Sequence, residues 1–94
     1  MKMSQLQMME TDTPKGVQAV LDFGKYELSI VQNEISYGNR KGLYEIAVFS
    51  EGNQVELPGI TSPGDSVKGF LTESDVDAIL TKMYTITGTE GKQL

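Results

Sequence analysis

The chain contains no histidine and no cysteine. Thiolate nucleophiles, iron–sulfur clusters, disulfides and ordinary zinc sites are excluded, and with them the Ser-His-Asp and Cys-His arrangements. The remaining chemistry falls to oxygen and nitrogen groups at a few places. The stretch Ser36-Tyr37-Gly38-Asn39-Arg40-Lys41-Gly42 holds the only adjacent pair of cations, between two glycines and beside a tyrosine. Glycines let backbone amides approach an anion, and Arg grips a phosphate or carboxylate with two bonds. The stretch is not a Walker loop: it lacks the Gly-Lys-Ser/Thr ending, and a strand, not a helix, is expected after it. Its plain reading is a solvated hairpin turn with Tyr37 folded onto the sheet edge.

Glu73, Asp75 and Asp77 are the densest carboxylates. They could imitate a row of phosphates or hold a divalent cation. Helical side chains two apart do not face each other, however, and the central glycine and distal Glu of a calcium loop are missing. The plain reading is a helix start favoured by acidic charge. Glu45, among apolar neighbours, is a conceivable general acid; such a residue more often meets a cation across the sheet or reaches solvent. Asp65, in Pro63-Gly64-Asp65-Ser66, reads as a turn residue. Tyr26, Tyr37 and Tyr44 lack the surrounding cations of a base-stacking platform. The candidate binding residues are thus Tyr37, Gly38, Arg40, Lys41, Glu73, Asp75 and Asp77. No catalytic residue, metal ligand or cofactor is expected, and the chain is not expected to be an enzyme.

Periodicity indicates the elements that position these residues. Val17–Phe23 and Lys25–Gln32 are apolar runs joined at Gly24; Tyr26, Leu28 and Ile30 alternate with Glu27, Ser29 and Val31, which predicts a β-hairpin. Residues 33–42 read as a loop. Leu43–Phe49 is the clearest strand, apolar on both faces and so expected to be central. A turn at 50–53, a short strand at 54–57, an irregular loop at 58–66 and a strand at 67–71 follow. Thr72 then offers an N-cap with Asp75 at the reciprocal position. Val76, Ile79, Leu80 and Met83 form the apolar stripe of a helix, with Leu80 expected against Ile46 and Val48. The predicted fold is α+β: an antiparallel β-meander of about four to five strands with one C-terminal helix packed on it. Residues 16–87 are expected to be the single domain, with disordered tails at 1–15 and 88–94.

Among the 94 residues, 13 acids against 8 bases give a net charge of −5. Non-specific nucleic-acid binding works through Lys and Arg on phosphates, so direct contact with DNA or RNA is not expected. No apolar core of about 7–15 residues follows Met1-Lys2-Met3, so no secretory signal is expected. No run approaches the ~18 apolar residues that would span a bilayer.

The set Ser29-Ile30, Tyr37-Gly38, Tyr44-Glu45-Ile46-Ala47-Val48 and Gly69-Phe70-Leu71-Thr72 resembles small uncharacterised accessory proteins of tailed-phage genomes. The resemblance covers roughly residues 25–83. It implies a phage-encoded accessory protein acting in the host bacterial cytoplasm and adds nothing about mechanism. It carries over no catalytic or binding residue. For a factor of this size without ordinary catalytic side chains, the expected mode of action is binding a host or viral protein, as inhibitor or adaptor. A minor virion component, and a small-ligand or anion binder using the 36–42 loop, are the alternatives.

Overall fold

The computed structural model describes residues 1–94. Strands β1 (Met9–Asp12), β2 (Lys15–Asp22), β3 (Glu27–Asn33), β4 (Tyr44–Ser50), β5 (Asn53–Gln54) and β6 (Val67–Leu71) are followed by helix α1 (Glu73–Thr87) and a last strand, β7 (Lys92–Gln93). All pair antiparallel in one sheet of order β1-β2-β3-β4-β5. β6 shares the outer edge of β4 with β5, and β7 shares the outer edge of β2 with β1. The predicted hairpin is β2–β3; its turn carries Gly24 at φ +85°. β4 has partners on both edges, as expected of a central strand.

Period-two alternation sorts the side chains. Leu21, Leu28 and Val48 lie in one cross-strand row, and Ala19, Ile30 and Ile46 in the next, all buried on one face. Helix α1 lays Val76, Ile79, Leu80 and Met83 into the same buried cluster, which Leu57, Ile60 and Leu71 complete from the β5–β6 segment. Leu80 therefore shares a core with Ile46 and Val48. No helix is long and apolar enough to cross a membrane.

The helix begins as its sequence dictates. The Thr72 hydroxyl accepts from the Asp75 amide at 3.1 Å, and the Asp75 carboxylate accepts from the Thr72 amide at 2.9 Å. That amide first, and the Thr72 hydroxyl second, hold the Asp75 carboxyl below its ordinary value of 3.8. A depressed carboxylate stabilises the fold above its ordinary pKa, and the contribution disappears as pH falls through the lower folded value. The stability gap between the wild type and Asp75→Asn should accordingly close below pH 3.8 in acid titrations followed by circular dichroism. At neutral pH, Thr72→Ala should remove about 0.5–2 kcal/mol. Gly88, at φ +72°, ends the helix with its amide on the Tyr84 carbonyl.

Two sequence expectations are corrected here. The ends are not tails. Residues 9–12 add strand β1 to the sheet, and Met3 is buried in the core with its amide 2.7 Å from an Asp77 carboxylate oxygen. At the other end β7 pairs with Leu21 and Asp22, and Gly91 lies against the Phe23 ring so closely that a Cβ would fall 2.6 Å from it. The Gln93 side-chain amide donates to the Gln7 carbonyl and its oxygen accepts the Gln7 amide, so the two ends clip together. The strand expected at 54–57 is the second correction. Only Asn53–Gln54 pairs as β5; Leu57 turns into the core instead, its amide bonded at 3.0 Å to the buried Thr61 hydroxyl.

Candidate functional site

The loop between β3 and β4 is built by short-range bonds. Asn33 and Ser36 exchange backbone and hydroxyl contacts at 2.9–3.2 Å, and Asn39–Lys41 forms a single 3-10 turn between Gly38 and Gly42, both at positive φ. The Asn39 side-chain amide donates to the Asn33 carbonyl. Glu45, on β4, accepts the Tyr37 amide at 3.3 Å. This carboxylate thereby helps to hold the loop against β4.

Tyr37 then meets β6. The Phe70 amide donates to the Tyr37 carbonyl at 3.2 Å. A Cβ on Gly69 would lie 2.4 Å from the Tyr37 Cβ, and one on Gly38 would lie 3.0 Å from the Phe70 Cα. Only glycine fits at either place, because two backbones cross there. β6 also slips against β4: Tyr44 faces Leu71 and Ile46 faces Lys68, so one residue of β4, Glu45, is matched to two of β6, Gly69 and Phe70. Phe70 sits in this bulge at φ +57°. The left-handed region costs a residue with a Cβ about 1–2 kcal/mol, and a bulky side chain there is a genuine outlier.

The bulge turns the Phe70 ring outward. It stacks beside Tyr37 with centroids 6.2 Å apart and planes 22° from parallel. Phe70 is 59% exposed and Tyr37 60%. The pair forms a ridge between two depressions. One, of about 470 Å³, lies toward Ser62, Asp65 and Val67. The other, of about 350 Å³, has Leu71, Ala78 and Ile79 in its wall and Lys68, Asp75 and Lys82 at its rim. Binding sites gather strain and exposed aromatics, and here both occur at one place.

Of the remaining candidates only Asp75 borders the ridge, at the rim of the second depression. Arg40 lines a separate polar hollow with Lys15, Gln32, Asn33 and Asn39. The one ion pair joins the Met1 amino group to Glu90, which leaves Arg40 and Lys41 without a carboxylate partner. The acidic row is divided among other tasks: Asp75 caps α1, Asp77 holds the Met3 amide, and Glu73 is exposed in the first turn. No group of three or more acids could share a metal ion. Asp65 closes a turn through its backbone amide to the Ser62 carbonyl. Tyr26 and Tyr44 pack against the core. Phe70 was missed by sequence reasoning. The Gly69-Phe70 step looked like a weakened strand, whereas a glycine before an aromatic inside an alternating run was the available bulge signal.

Comparison with known proteins returns nothing: no family model, no curated protein and no solved structure matches the chain.

Proposed function

We propose that this chain is a phage-encoded accessory protein that acts without catalysis, by binding a host or viral protein in the host bacterial cytoplasm. The observation that carries the binding reading is the Tyr37–Phe70 ridge, two large rings held in solvent side by side on a strained backbone. Aromatic side chains dominate the energetics of protein interfaces, because they bury much area at little conformational cost. The phage setting is supported by the resemblance of the quoted motifs. Three of them, Tyr37-Gly38, Glu45 on its strand and Gly69-Phe70, lie together at this ridge.

The test is affinity capture from phage-infected cells with the wild type and with Tyr37→Ala. A host or phage protein retained by the first and lost by the second is the expected result. Equal capture by both would remove the ridge from the interface. Co-sedimentation of the chain with purified virions would make it a virion component instead.

A further inference from the structure

The sheet has two faces, and the chain covers one of them. On the second, Val20, Ser29, Ala47 and Val67 form a single row across β2, β3, β4 and β6. Gln18, Val31 and Glu45 make the row on one side, and Asp22, Glu27 and Phe49 the row on the other. Val20, Val31, Ala47, Phe49 and Val67 are all partly exposed, and none belongs to the core or packs against it. Helix α1, the N-terminal segment through Met3 and the loop through Leu57 and Ile60 all serve the opposite face. The centre of the second face is thus small, β-branched and aromatic, with one polar contact, the Gln18 amide on the Ser29 hydroxyl at 2.9 Å.

Its charge has a sign. Asp22, Glu27 and Glu45 stand on this face, and none is in an ion pair. Lys92, opposite Asp22 on edge strand β7, is the one strand lysine that shares the face; Lys15 and Lys68 alternate to the other side. Two copies docked through this surface would bring like charges together, which opposes a dimer. A face also differs from an edge: it offers side chains and no free backbone groups. Its partner must therefore present a stripe of side chains, as α1 does on the covered side, and an amphipathic helix supplies one.

We propose that the open sheet face docks a basic amphipathic helix of a partner protein, its apolar stripe over Val20, Ala47 and Val67 and its Lys or Arg residues toward Asp22, Glu27 and Glu45. The proposal rests on the reading that the protein works by binding, and it names the class of partner. Val67 also borders the hollow beside Tyr37 and Phe70, so the face and the ridge form one continuous surface.

The probe is a Leu/Lys amphipathic peptide of about five helical turns, roughly 18 residues. It is titrated into the full chain while backbone amide resonances are followed. Saturable shifts at Val20, Ser29, Val31, Ala47 and Val67 are expected. Ala47→Glu should weaken binding about tenfold or more. Glu27→Lys should weaken it and flatten its salt dependence, since exposed charge contacts are screened over about 8–10 Å at ordinary ionic strength. Shifts confined to α1 or to residues 33–42, equal binding of a Leu/Glu peptide, or dilution-dependent shifts on this face that reveal a second copy would each overturn the proposal. The two readings fail separately. Tyr37→Ala losing the natural partner while the peptide ignores the sheet face defeats only the helix proposal; the reverse defeats only the ridge.

Discussion

Leu80→Ala is expected to lower stability by about 2–5 kcal/mol, the usual range for emptying a buried leucine site. Leu80 is 2% exposed in a cluster with Ile46, Val48 and Phe23. The cluster sets α1, with Met3, Leu57 and Ile60 from the flanking segments, against one sheet face, and Leu80 lies within it. A domain of this size has a total stability of roughly 5–15 kcal/mol, and a loss in this range is a large share of it. With about 4–8 °C of melting temperature per kcal/mol, the shift should be roughly 8–40 °C. Denaturant unfolding should show a lower midpoint at unchanged slope, because the surface exposed on unfolding is nearly the same. Tyr84, one helical turn further on but 51% exposed, is the internal control: Tyr84→Ala should shift the midpoint far less. Equal effects of the two substitutions would show that α1 is not seated by the face that carries Leu80.

The helix and the three central strands were legible because their signals are local. Val76, Ile79, Leu80 and Met83 recur at helical spacing, Thr72 and Asp75 complete a cap within four residues, and Leu28 and Ile30 alternate with polar neighbours. The ends were not legible, because what orders them lies far away in the chain. Met3 depends on Asp77, Gln7 on Gln93, and Gly91 on the ring of Phe23. Composition alone reads such segments as polar and glycine-rich, and the distant partner decides against disorder. The site divides in the same way. Tyr37 and Gly38 were picked out by their loop, and Arg40 and Lys41 by their charge, but only the crossing of the loop over β6 selects the first two and leaves the others apart. The acidic row divides in the fold: three carboxylates near one another in sequence serve a cap, a distant amide and solvent.

Phe70→Asn is expected to abolish partner capture while leaving the fold's stability within about 1 kcal/mol of the wild type. Two effects oppose each other in the folded chain. The substitution relieves about 1–2 kcal/mol of left-handed strain, because Asn tolerates a φ of this sign far better than Phe. It also removes the contact with Tyr37, and an aromatic pair of this kind is worth about 0.5–1.5 kcal/mol beyond area burial. With Phe70 at φ +57° and more than half of its surface in solvent, the two should nearly cancel. Binding has no such compensation. An aromatic anchor that carries an interface contributes about 2 kcal/mol or more, which is roughly thirtyfold in affinity. Gly69→Ala supplies the contrast: its Cβ would fall 2.4 Å from the Tyr37 Cβ, so the crossing must open, and stability and capture should fall together. Thermal unfolding measured beside capture for both variants separates a ring kept for its partner from a ring kept for the fold. A Phe70→Asn protein that melts well below the wild type yet still captures the partner would make the ring structural, and the ridge would lose its assigned role.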